Sequence, residues 1–165
     1  VGVAVRQWLA LEGYQEALAP VLDKLAERGY RILFIPMAYP DDIPAARKVM
    51  NLMKNDALLL ERHLGAREHL ALIAHLDIMI GMRLHALIFA ASQGVPFAGI
   101  SYDPKVDAFL KLFEMKPLPL AYQDMKAEIE RLLEDNEWRE QIRKRAGEMR
   151  EKSVETARLA LSLLR

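Results

Sequence analysis

The sequence predicts an α/β fold in which a parallel sheet is covered by helices on both faces. Short, almost uninterrupted apolar segments alternate about five times with segments whose apolar residues recur at helical spacing. Strands that are apolar along their whole length belong to sheets buried on both faces, which are parallel ones. The size fits as well, because 165 residues, 52% of them hydrophobic, suffice for one domain with a core of its own.

"VGVAVR" (1–6) reads as a buried strand ending in an arginine. "YQEALAPVLDKLAERGY" is the first helix, with Leu18, Val21, Leu22 and Leu25 on one face. Pro20 is expected to kink or restart it, and Gly29 to stop it. "RILFIPM" (31–37) is the second strand and "DDIPAARKVMNLM" the next helix. "ALLLE" (57–61) is a short third strand, followed by the helix "REHLALIAHL". "DIMIG" (77–81) is a strand, and "RLHALIFAASQ" a helix stopped by Gly94. Within that helix Leu84, Leu87, Ile88 and Ala91 form the expected core stripe. "PFAGIS" (96–101) is the last strand, and "PKVDAFLKLFEM" the helix after it. From about 121 to 165 the chain reads as a helical tail, with Trp138, Ile142 and Met149 as anchors. The whole of 1–165 is thus one domain carrying a helical C-terminal tail. The first residue is Val, and the chain opens almost directly on a strand, so it reads as a piece of a longer protein.

Composition excludes several classes of function. Lys+Arg and Asp+Glu both number 23, so the chain lacks the basic surface of a nucleic-acid binder. Without cysteine there is no disulfide framework, thiol nucleophile or thiolate metal site. No apolar run reaches the ~18 residues of a membrane span, and no signal peptide is visible. Neither GxGxxG nor GxxxxGK[ST] occurs, which disfavours standard dinucleotide and P-loop chemistry.

In an open parallel sheet the strand-to-helix loops share the carboxyl edge, where ligands bind. Arg6, the 36–42 loop, the 81–85 turn and the 101–105 turn should all face that edge. Asp103 suits a helix N-cap and Pro104 the first helical position, which puts Lys105 in the first turn. Arg83 occupies the matching place in the preceding helix, with His85 two residues on. Cations there oppose the helix macrodipole, and a bound anion would resolve both conflicts. Arg offers a planar fork, Lys a point charge, and His a hydrogen bond or a proton near neutrality. Plainer readings stand beside this one. Arg83 can pair with Asp77 or Asp103, Lys105 can be solvated or paired with Asp107, and His85 can be structural. His63, His69 and His75 read as surface residues, and Asp41 or Asp42 as a helix N-cap rather than a metal ligand.

The segment "GMRLHALIFAASQGVPFAGISYDPKVDAFL" resembles the polysaccharide pyruvyl transferase family, most closely its CsaB type, as do "VAVRQW" and "FIPMAYPDDI". "RQW" at 6–8 departs from the "RPW" of close members. The resemblance implies a Rossmann-like domain forming the C-terminal half of a GT-B-like two-domain fold, with the N-terminal domain absent from this chain. It implies transfer of pyruvate from phosphoenolpyruvate to a sugar diol as a ketal, with release of phosphate. No cofactor is implied, because phosphoenolpyruvate is a co-substrate. The implied acceptor is N-acetylmannosamine of a lipid-linked secondary cell wall glycan, whose ketal anchors surface-layer proteins. By the same resemblance His85 and Lys105 are donor-site residues, His85 the catalytic one, with Arg83 a companion and Arg6 a further substrate contact. The expected location is the cytoplasm, with peripheral contact to the inner face of the membrane left open. Two other readings remain open: a nucleotide-sugar-binding domain of a glycosyltransferase or epimerase, and a non-catalytic binding domain.

Overall fold

The computed structural model describes residues 1–8, 11 and 13–162. Five parallel strands form one sheet: β1 (Gly2–Ala4), β2 (Leu33–Phe34), β3 (Leu58–Leu59), β4 (Met79–Gly81) and β5 (Phe97–Gly99). Their spatial order is β3-β2-β1-β4-β5, so the chain reverses direction across the sheet between β1 and β4. Helices α1 (Tyr14–Glu27) and α2 (Ile43–Met50) belong to one face, with α6 (Tyr122–Glu134). Helices α3 (Ala66–Ile73), α4 (Leu84–Ser92), α5 (Pro104–Leu112) and α7 (Asn136–Ser162) belong to the other. The two faces are packed by separate apolar clusters, as an interior parallel sheet requires.

The strands are shorter than the apolar runs that announced them. Single hydrogen bonds still continue past the ladder, Ile35 N–H to the Val3 carbonyl (2.8 Å) and Met82 N–H to the Ala4 carbonyl (2.8 Å). Val5, Ile35 and Ile100 stay buried there. The apolar run therefore reports burial, which outlasts two-sided pairing.

α1 runs through Pro20 without the expected restart. A proline removes one backbone donor. Leu18, Ala19, Val21 and Leu22, all at most 1% exposed, hold both sides of that point against the sheet. Gly29 (φ 91°) and Gly94 (φ 66°) close α1 and α4 as expected. The stripe on α4 needs correcting: Ala86, Leu87, Ala90 and Ala91 are buried, whereas Ile88 is 37% exposed. Small residues face the sheet because the helix lies close to it. A Cβ on Gly81 would come within 2.9 Å of Leu87 Cδ2, and one on Gly99 within 2.9 Å of Leu110 Cδ1. Gly81 is thus required by helix-to-strand contact.

The tail packs along this domain. α6 lies on α1, with Arg28 bonded to Glu130 and Glu134. α7 lies on α4 and buries Ile142 completely, with Trp138 and Met149 partly covered. The last three positions of the expected tail, 163–165, lie outside the described residues. Among the described residues no helix is long and apolar enough to cross a membrane. His63 and His75 are exposed, but His69 is buried. Its Nδ1 lies 3.2 Å from the Gly65 carbonyl one turn back, and its ring faces Phe89 of α4 at 6.2 Å. A six-residue recurrence carries no helical phase, so it could not separate this histidine from the other two.

Candidate functional site

Strand register brings the expected site residues to one edge. Ala4 pairs with Gly81, and Gly81 with Gly99. Arg6, Arg83 and Ser101 each lie two residues beyond that row, at the carboxyl ends of β1, β4 and β5. The two arginines then reach in opposite directions across the point where strand order reverses.

Arg6 reaches over the end of β4 to the loop after β5. Its Nη1 donates to the Tyr102 hydroxyl at 3.0 Å. Its guanidinium carbon lies 4.9 Å from the Trp8 ring centre and 5.0 Å from that of Tyr102. The two rings are 4.9 Å apart and tilted by 52°, so they pack on each other and the cation rests against both. Its buried Nε has no hydrogen-bond partner among the described residues. Tyr14, fully buried at the start of α1, donates to the Arg6 carbonyl at 3.0 Å and so fixes this backbone. Burial pushes the Tyr14 phenol up to about 12, with the Asp42 and Glu16 charges adding and a contact from Gln15 opposing.

Arg83 reaches the other way, over β1 to the loop after β2. Its Nε donates to both oxygens of Asp42, at 3.1 and 3.0 Å, and its Nη2 also bonds Asp42 Oδ1. Asp42 is 1% exposed and accepts the Ala38 N–H at 2.9 Å as well. The expected partners Asp77 and Asp103 are therefore replaced by Asp42. Asp42 does occupy the N-cap position of α2, but its side chain does not cap that helix. One carboxylate closes its own loop and anchors the N-cap residue of another helix. Nη1 of Arg83 takes no part in these bonds.

The 101–105 turn is built as expected. Asp103 caps α5 by accepting the Lys105 N–H at 2.9 Å, and Pro104 opens the helix. The Lys105 ammonium lies 3.3 Å from Asp103 Oδ2, so its partner is Asp103 and not Asp107. The Lys105 N–H first, then its ammonium, hold the Asp103 carboxyl below its ordinary range, with slight burial opposing. His85 is exposed on the first turn of α4, with its ring 6.4 Å from Phe89 and no side-chain hydrogen bond among the described residues. Both helix-start cations thus have a carboxylate of their own, which relieves the conflict with the macrodipole from within the chain.

Sequence reasoning placed the 36–42 and 101–105 loops at this edge but missed the contacts that Asp42 and Tyr102 make there, and it missed Tyr14 and Trp8 altogether. The available signals were Trp8 two residues after Arg6, and a second acid in "PDD" when one N-cap suffices. No group of three or more metal-ligating side chains occurs among the described residues.

The fold is shared with sugar-nucleotide enzymes. A putative UDP-N-acetylglucosamine 2-epimerase from Listeria monocytogenes superposes with TM-score 0.64 at 15% identity, over 86% of this chain and 38% of that one. The UDP-GlcNAc 2-epimerase from Neisseria meningitidis, bound to UDP-GlcNAc, gives 0.63 at 15%, over 93% and 44%. The glycosyltransferase SnogD from Streptomyces nogalater gives 0.58 at 22%, over 96% and 43%. The chain spans less than half the length of each, and at these identities the likeness shows a Rossmann-like fold of the GT-B kind alone. No curated protein matches the sequence. A family match covers residues 2–104, from β1 through the start of α5, and so takes in Arg6, Asp42, Arg83, His85 and Asp103. On that match the chain belongs to the polysaccharide pyruvyl transferase family.

Proposed function

We propose that this chain is the donor-binding domain of a two-domain pyruvyltransferase of the CsaB type, the C-terminal half of its GT-B-like fold. It would hold phosphoenolpyruvate while a sugar diol, N-acetylmannosamine of a lipid-linked cell-wall glycan, takes the pyruvyl group as a ketal. The observation that carries this reading is the exposed pair His85 and Lys105 beside the braced Arg6 and Arg83, at the carboxyl ends of β1, β4 and β5. Phosphoenolpyruvate carries a carboxylate and a phosphate, and this edge offers donors for both.

In the proposed reaction a proton adds to the methylene carbon, which leaves an oxocarbenium-like centre at the carbon bearing the phosphate. One sugar hydroxyl adds there, the bond from that carbon to the phosphate oxygen breaks, and the second hydroxyl closes the ring. Each hydroxyl gives up its proton, so donor and diol yield one ketal and one phosphate. Lys105 and the free Nη1 of Arg83 are assigned to the anionic groups. His85 is assigned to the departing phosphate, where a hydrogen bond strengthens as charge develops. The methylene proton then comes from the facing domain. That domain also supplies the second wall needed to hold donor and acceptor together and exclude water. No cofactor enters the scheme. On this reading the enzyme would act in the cytoplasm, meeting a lipid-linked acceptor from the inner face of the membrane.

The likeness to UDP-sugar enzymes supports a second reading, a nucleotide-sugar site at the same edge. Thermal shift of the chain with phosphoenolpyruvate, inorganic phosphate and UDP separates the two. A rise with phosphoenolpyruvate that Lys105→Ala and His85→Ala abolish supports the donor assignment. A rise with UDP alone overturns it.

A further inference from the structure

Beside the donor edge lies a second cavity, of about 320 Å³, between the loop after β1 and the starts of α1 and α2. Trp8 is a wall of it, yet Arg6, whose guanidinium lies 4.9 Å from the Trp8 ring centre, is not among its lining residues. One indole therefore serves two sites, bracing a cation in one and lining open space in the other. At 38% exposed it is one of the few large apolar side chains left uncovered.

The remaining lining is mixed, with Leu11, Pro44 and Ala45 adding apolar surface to a polar set. Gln7, Gln15, Glu16 and Lys48 all contribute. Gln15 is only 6% exposed, and its Oε1 is buried with no hydrogen-bond partner among the described residues. Burying an amide oxygen without a partner is costly, and native structures avoid it unless the group has another use. The last torsion of a glutamine is soft, so a small turn presents this amide to the cavity.

We infer that the cavity binds an uncharged pyranose ring, and that it is the acceptor-sugar subsite of the proposed reaction. Small-molecule sites combine an apolar or aromatic wall with a few placed polar groups, and Trp8 supplies the wall. Sugar hydroxyls both donate and accept, which suits two amides, one carboxylate and one ammonium. Glu16 and Lys48 cancel in charge, so the lining favours a neutral guest over an anion. The shared indole puts the ring next to the donor edge, where a diol must lie to attack. This assignment rests on the donor reading above for its role, but not for the binding itself.

The test is amide and indole chemical shifts of the isotope-labelled full chain, titrated separately with N-acetylmannosamine, phosphoenolpyruvate and inorganic phosphate. Trp8→Phe and Gln15→Leu assign the two reporter signals. N-acetylmannosamine is expected to move the Trp8 indole N–H and the Gln15 side-chain amide with millimolar affinity, and Gln15→Leu to weaken this about tenfold. Reporters that stay unmoved at near-saturating sugar, or that phosphate moves as strongly, overturn the inference. Phosphoenolpyruvate acting at 83–85 and 103–105 while sugar does nothing would sink the sugar subsite and spare the donor reading. Sugar shifts without any phosphoenolpyruvate shifts would do the reverse.

Discussion

The carboxyl edge carries two kinds of nitrogen-bearing side chain. Arg6 and Arg83 are tied down, one against two aromatic rings and the other by a buried carboxylate. His85 and Lys105 stand on the first turns of α4 and α5, and both are exposed. The difference teaches that a cation at a strand end can serve the frame or serve a ligand, and that side-chain length and a nearby acid decide which. Arginine reaches across a neighbouring strand and can satisfy a buried acid while keeping one nitrogen free. His85 makes no side-chain hydrogen bond among the described residues and Lys105 makes only an exposed ion pair with Asp103, which makes the two the better candidates for chemistry.

The sharpest way to break this comparison is Arg83→Ala. It leaves the Asp42 carboxylate, 1% exposed, with the Ala38 N–H as its remaining bond, so stability should fall by roughly 3–5 kcal/mol. Urea unfolding measures it, and a loss no larger than that of a surface substitution would remove Arg83 from the frame. Tyr14→Phe is smaller, at about 1 kcal/mol, because it removes one neutral hydrogen bond to the Arg6 carbonyl.

The same phenol makes a pH prediction. A phenol raised from 10 to about 12 binds its proton more tightly in the folded state. That contribution is complete below the unfolded value and is lost as pH rises through the folded one. Alkaline unfolding should therefore start earlier in wild type than in Tyr14→Phe, relative to each protein's stability at neutral pH. Parallel melts across the alkaline range decide the point.

Asp103→Ala removes the cap of α5 and should lower stability at neutral pH by less than Arg83→Ala does. The Asp103 carboxyl is depressed, so its contribution is present above the unfolded pKa and is lost as pH falls through the folded one. In acid the variant and wild type should converge, and a gap that persists there would show that something other than the ionised carboxylate holds the turn. The smallest effects on stability belong to Lys105→Ala and His85→Ala, each within about 0.5 kcal/mol of wild type. Turnover in a full two-domain enzyme should nevertheless collapse. A large melting loss from either would erase the distinction between the two kinds of side chain.

The order of strands and helices was legible because burial on both faces leaves continuous apolar runs, and because Gly29, Gly94, Asp103 and Pro104 mark helix ends locally. The site was legible as an edge, since topology alone sends Arg6, Arg83, His85 and Lys105 there. What escaped was pairing. Asp42 and Arg83 are 41 residues apart, and Arg6 and Tyr102 are 96 apart. Nothing local in either segment names its partner. The burial of His69 escaped for the same reason, because it depends on Phe89 in another helix.

Those separations also bear on how the protein forms and comes apart. Closing long stretches of chain is slow and entropically costly, so such bonds are expected among the last to be made. An interaction missing from the folding transition state leaves the folding rate almost untouched, and its loss appears as faster unfolding. The arginine straps across the β1–β4 seam would then set the lifetime of the folded domain far more than its speed of assembly. A chain lacking Arg83 would fold nearly on time, and open its carboxyl edge too soon.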